Sequence, residues 1–265
     1  MLSSNLTNRE IMKLGIRIRA GLNTIEPKSQ SPMSDLINDI INELSASSVS
    51  SIITPINKIV IVDNQGNERD TIDISSSDWT IDYINHKMSI EKTFVAQSSY
   101  YAYKIRLKSD TKIYFEYTLS EVKEVYAGDE IKVTVEISVS FTITGGSGFT
   151  GNISRGNDTD IEKRLLEILT GVNTVKRMTF MNLEIYSGTS KLTSLSLNKS
   201  VSNNTVTLSA SWNPTSDQTF DDLHFRGFYD PETGEYDITI EINFDTDQTA
   251  IGGSYNNFTL NITVS

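Results

Sequence analysis

The chain has 265 residues, 37% of them apolar and 22% charged, with a net charge of −11 and no cysteine. That length exceeds the commonest single-domain size and predicts two domains of about 100 to 130 residues, each able to bury its own core. The acidic balance argues against a protein that coats nucleic acid over its whole surface, and the absence of thiols excludes disulfides, Cys nucleophiles and Cys-ligated zinc or iron–sulfur centres.

Residues 1–33 form a locally basic arm, with Arg9, Lys13, Arg17, Arg19 and Lys28 set against Glu10 and Glu26. Ile11, Leu14 and Ile18 would line one face of a helix, whereas Leu14, Ile16 and Ile18 alternate as a strand would, so the period does not choose between them. The arm lacks the aromatic interleaving of a nucleic-acid binder, and it carries apolar residues beside its charges. Docking onto a partner is therefore the expected role of Arg9, Ile11, Lys13, Leu14, Arg17, Ile18 and Arg19. The first ten residues are too polar for a secretory signal, and no run of about 18 apolar residues predicts a membrane-spanning helix. Pro27 and the following residues to Pro32 mark a turn or linker.

From Ser34 the pattern sharpens. Leu36, Ile37, Ile40, Ile41 and Leu44 recur at helical spacing, with Asn38, Asp39, Asn42 and Glu43 on the opposite face and Ser34 or Asp35 as N-cap. Short β-rich runs follow at 56–62, 71–74, 79–84, 88–95, 100–107 and 112–119. A longer run at 130–144 alternates Ile131, Val133, Val135, Ile137, Val139, Phe141 and Ile143 with polar residues, which predicts one long strand with one buried face. Residues 145–158 have the Gly, Ser and Asn content of a flexible linker. A second amphipathic helix is predicted over 161–169, capped by Asp158, Thr159 or Asp160 and closed by Gly171. Strands then read as 175–185, 192–197, 205–212, 223–229, 236–244 and 257–264.

The order of elements repeats. The helix 35–45 matches 161–169, Lys58–Val62 matches Phe180–Ile185, and the pair 100–107 and 112–119 matches 223–229 and 236–244. In the second pair the turn is Asp230-Pro231-Glu232-Thr233-Gly234, suited to a tight reversal. The expected fold class is mainly β: two tandem antiparallel β-sandwich, jelly-roll-like domains, each preceded by a short amphipathic helix. The expected division is an arm at 1–33, domain 1 at 34–144, a linker at 145–158 and domain 2 at 159–265.

No phosphate loop, nucleophile elbow or paired-histidine zinc motif is present. Only His86 and His224 could serve as a catalytic imidazole, and each reads more simply as a turn or strand residue. Asp63-Asn64-Gln65-Gly66-Asn67-Glu68 and Asp245-Thr246-Asp247-Gln248 offer oxygen ligands without the EF-hand spacing, and turn propensity accounts for them. Seven Asn-X-Ser/Thr sequons, at Asn5, Asn152, Asn157, Asn198, Asn203, Asn257 and Asn261, permit glycosylation without demonstrating it. The aromatics Trp79, Tyr100, Tyr101, Tyr103, Tyr114, Phe115 and Tyr117, with Trp212, Phe225, Phe228 and Tyr229 in the second half, would supply either core or a sugar-stacking platform. No catalytic, metal or cofactor residues are assigned.

An arm, a helix and a β-sandwich, duplicated through a Gly-rich linker in a Cys-free chain rich in Ile, Asn, Ser and Thr, resembles virion structural proteins of archaeal and bacterial viruses. The segments Tyr100–Phe141 and Leu223–Val264 look like the closing strands of phage head, neck and tail accessory domains. The jelly-roll-like turrets of icosahedral archaeal viruses are similar. The resemblance implies a non-enzymatic turret, spike, decoration or connector located in the virion. Its expected partners are copies of itself and other virion proteins of the capsid, penton, neck or tail, with a host-surface glycan as a further ligand. The alternatives are a carbohydrate-binding adhesin module and a polysaccharide-degrading tail-spike enzyme, the latter requiring two convergent carboxylates.

Overall fold

The computed structural model describes residues 27–32, 34–145, 152–155 and 160–264. The arm positions Arg9, Ile11, Lys13, Leu14, Arg17, Ile18 and Arg19 lie outside the described residues. The first half contains β1 (Pro27–Pro32), α1 (Ser34–Ser45), β2 (Lys58–Asp63), β3 (Glu68–Asp73), β4 (Trp79–Asp82), β5 (Lys87–Val95), β6 (Tyr100–Ser109), β7 (Lys112–Val125), β8 (Glu130–Ser138) and β9 (Thr142–Gly145). The second contains β10 (Asn152–Arg155), α2 (Ile161–Thr170), β11 (Asn182–Ser187), β12 (Ser190–Ser196), β13 (Asn198–Ser202), β14 (Thr205–Trp212) and β15 (Gln218–Arg226). It ends with β16 (Tyr229–Asp230), β17 (Glu235–Tyr236), β18 (Thr239–Ala250) and β19 (Asn256–Thr263).

The fold is mainly β and its strand pairings are antiparallel. A five-stranded sheet runs β1-β7-β6-β2-β3 and a three-stranded sheet β4-β5-β8. A second five-stranded sheet runs β10-β18-β15-β11-β12, and a four-stranded sheet β13-β14-β19-β9. The second series follows the first strand for strand, with the small hairpin β16-β17 inserted and β9 added at an edge. Register repeats as well: Ile105 stands opposite Ile61 and Tyr117, and at the corresponding places Leu223 stands opposite Ile185 and Ile242. Because a strand's side chains alternate with period two, these pairings hold the apolar set of each sheet on one face. Burying each such side chain contributes about 1.5 to 3 kcal/mol.

The helices join the halves. Leu36, Ile40, Ile41 and Leu44 give α1 its apolar stripe, which packs on β7; the helix also touches β13 and β14 of the second half. Asp39 and Glu43, on the face opposite the apolar stripe, are buried as well: Asp39 takes Lys112 and Tyr114 of β7, and Glu43 faces the second half. α2 is enclosed almost all round and packs on β5 of the first half. Asp160 caps it, accepting from the Lys163 amide at 2.8 Å, and Gly171 closes it in the left-handed region at φ 75°, where a glycine carries no Cβ penalty.

Three departures from the sequence reading concern the sheet edges and the crossover between sheets. Pro27–Pro32, expected as a turn, forms β1 at the edge of the first sheet, so a strand rather than a helix leads each series. The expected linker 145–158 contains β10, which pairs with β18. Edge strands need backbone bonds on one side only, and for that reason polar and proline-containing segments suffice. The long run 130–144 is divided in two. Its apolar face stays buried through Val139 and Phe141, but the Val139 amide donates to the His86 carbonyl and the Phe141 amide to Glu162, after which β9 joins the other sheet.

Candidate interaction surface

The polar groups buried between the halves are occupied in holding them together. The Glu43 carboxylate, at the last turn of α1, accepts the amides of Ile53 (3.0 Å), Ile52 (3.3 Å) and Met178 (3.1 Å). Burial pushes its carboxyl above the ordinary value, while those amides and Arg177 pull the other way. The Glu43 carbonyl takes the Thr179 hydroxyl at 3.1 Å, and reciprocally the Leu169 carbonyl of α2 takes the Ile56 amide at 2.8 Å. Each helix thus has one C-terminal carbonyl bonded by a residue that leads into a strand of the opposite half. Lys199 on β13 donates to the Ala46 carbonyl beyond α1, and burial lowers its ammonium to about 8.

At the other end of α2 the ligand atoms of His86, Asp160 and Glu162 lie within 4.8 Å of one another. One imidazole and two carboxylates form a donor set that suits a transition-metal ion. The same atoms already serve the fold: His86 Nε2 is 2.9 Å from Asp160 Oδ2, Asp160 caps the helix, and Glu162 accepts the Phe141 amide at 3.1 Å. Burial would raise Asp160, but the bonds from His86 and the Lys163 amide outweigh it and hold the carboxyl at about 2. The cluster fastens the β4–β5 turn and the β8–β9 crossover to the start of α2. His86 sits in the left-handed region at φ 49°, and Asn203 occupies the corresponding β13–β14 turn at φ 53°.

His224, on β15, stacks on Tyr186 with ring centroids 4.5 Å apart and is bonded to Arg226 at 2.7 Å. Burial is the main cause that lowers its imidazole. The Asp63 turn collects its own donors: Gln65 and Asn67 amides at 2.8 Å and the Arg69 guanidinium at 2.6 Å, which hold the carboxyl at about 2 against the upward pull of desolvation. Asp245–Gln248, expected as a turn, lies within β18. Of the aromatics, Trp79, Tyr100, Tyr114, Phe115, Tyr117, Trp212 and Phe225 belong to the core, whereas Tyr101, Phe228 and Tyr229 are exposed.

Phe228 borders a surface depression of about 620 Å³ in which Val49, Val175 and Phe228 stand beside Asn173, Lys176, Asp230, Glu232 and Asp237. Val175 is 83% exposed and Val172 53%. Val175 stands out because residues 175–181, expected as strand, bond elsewhere: Arg177 N donates to Asp237 at 3.2 Å and Met178 N to Glu43. Sequence periodicity gave no sign of the bond between Glu43 and Met178, which are 135 residues apart in the chain. Asp160 was readable as a cap, but its contact with His86 was not.

No helix among the described residues is long and apolar enough to cross a membrane. Comparison with protein families, curated proteins and solved structures finds no match to this chain.

Proposed function

We propose that the protein is a non-enzymatic structural component of a virus particle, a turret, spike, decoration or connector, that assembles with copies of itself. We read the repeated strand order as two copies of one sandwich-like unit. The observation that carries the proposal is their interlocking: β9 of the first series completes the sheet of the second, and each helix end is bonded by the opposite half. Such a body transmits force between its ends without a hinge, as a projecting or connecting part must. The apolar part of that depression, Val49, Val175 and Phe228, supplies the contact surface, and a stable self-association would bury about 800 Å² per partner there and around it.

Sedimentation velocity of the purified chain at micromolar concentration is expected to show an oligomer. The double variant Val175→Asp/Phe228→Asp is expected to return it to monomer with an unchanged circular dichroism spectrum. A wild-type chain that sediments as monomer throughout would remove the self-assembly reading.

A further inference from the structure

The two series differ at one edge. In the second, the order is β13-β14-β19-β9, so β19 is flanked on both sides; in the first, β8 holds the place of β19 but is paired, among the described residues, with β5 alone. The equivalence of β8 and β19 is fixed by more than strand order. The Val139 amide, just past β8, donates to the His86 carbonyl at 2.9 Å, and the Val264 amide, just past β19, donates to the Asn204 carbonyl at 2.9 Å. The β8 edge is nine residues long and carries Ile131, Val133, Val135 and Ile137 on its buried face. An edge of that length with no partner among the described residues is a template for another strand.

The repeat indicates what fills it. Val139 and Val264 are 125 positions apart, and so are the first residues of β1 and β10, Pro27 and Asn152. Moving β9, residues 142–145, back by the same 125 positions gives Arg17-Ile18-Arg19-Ala20. The patterns agree: Phe141 and Ile143 fall on Ile16 and Ile18. The six residues 146–151 that lead from β9 to β10 correspond to the six residues 21–26 that lead to β1. The register of β9, with Ile262 opposite Ile143 and Asn261 opposite Thr144, places Ile18 opposite Ile137 and Arg19 opposite Glu136. Apolar residues then meet on the inner face and opposite charges on the outer one.

We infer that residues 16–20 of the chain pair antiparallel with β8 of the same molecule, closing the first small sheet as β9 closes the second. The inference stands on a different edge from the self-assembly surface and does not depend on it.

Because the chain has no cysteine, the register can be read by disulfide formation in the full-length protein. Directly opposed residues lie within disulfide reach, whereas a partner six residues along the strand is displaced by about 20 Å. Arg19→Cys/Glu136→Cys is expected to oxidise to a monomer with an internal bridge, at least tenfold faster than Arg19→Cys/Glu130→Cys. Equal rates for the two pairs, no bridge, or bridges only between molecules would overturn the inference. Hydrogen exchange on the unaltered chain gives a second reading. The β8 amides that point away from β5 should be protected as well as those of β19, and unprotected amides there would overturn it equally.

Discussion

At the scale of single residues, two buried carboxylates carry distinguishable loads. Glu43 uses both oxygens as acceptors for main-chain amides from opposite halves. Glu43→Gln replaces one acceptor with an NH2 group facing an amide donor, leaving that donor unsatisfied. The expected loss is roughly 2 to 3 kcal/mol of unfolding free energy, since a buried unpaired amide carries its full desolvation cost. Urea titration checks it, and a midpoint equal to that of the parent would show that the junction is held by something else. Asp160 acts through protonation. Its folded carboxyl lies at about 2 against an ordinary 3.8, so the folded state prefers the ionised form. The resulting stabilisation, on the order of 2 kcal/mol, is complete above pH 4 and disappears as pH falls through 2. The difference in stability between the parent and Asp160→Asn is therefore expected to shrink as pH falls from 4 to 2. A difference independent of pH would assign Asp160 a purely steric role.

At the scale of elements, close approach of backbones sets limits that the pattern of apolar residues does not reveal. The 251–255 turn rests on residues 214–217, with Gly252 N donating to Asp217 at 2.8 Å and Gly253 N to the Pro214 carbonyl at 2.8 Å. A Cβ on Gly252 would sit 2.5 Å from the backbone of Ser216, whereas one on Gly128 would meet nothing within 4 Å. Gly252→Ala should therefore cost about 2 kcal/mol through overpacking, and Gly128→Ala about 1 kcal/mol through its positive φ alone. Thermal melts of the two variants rank them, and a larger loss for Gly128→Ala would contradict the packing argument. The contrast with the helices explains what the sequence could disclose. Both helices, the Gly171 cap and the central strands were legible because their apolar spacing and turn chemistry are local. β1, β10 and β13 were not, since their stability comes from backbone bonds to a neighbour far along the chain. The division of 130–144 into β8 and β9 was also invisible: side-chain alternation continues unbroken while the hydrogen-bonding partner changes. The same limit applied to the candidate surface, because Val175 sits in a segment whose sequence alternates like a strand.

At the scale of the whole molecule, the question is whether two repeated halves unfold as two units or as one. Tandem domains on a flexible linker would melt independently. Here the apolar core is one contiguous cluster through both halves, β9 lies in the sheet of β19, and the helices pack on both sides of the division. Losing the second half would strip Glu43 of its bonds from Met178 and Thr179, and losing the first would leave the edge of β19 bare. A half-folded state would lose these bonds and expose the apolar surface shared by the two halves, so it should stay unpopulated. The chain carries its own reporters: its two tryptophans are Trp79 on β4 and Trp212 on β14, one in each series and both buried. Trp79→Phe leaves emission from the second half alone, and Trp212→Phe from the first. Within each variant the urea midpoint of tryptophan emission is expected to coincide with that of far-ultraviolet circular dichroism, because either reporter senses the same single transition. Were Trp212 emission to complete its change while half of the strand signal persisted, the halves would be separable domains. The rigid, force-transmitting body on which the structural role rests would then be lost.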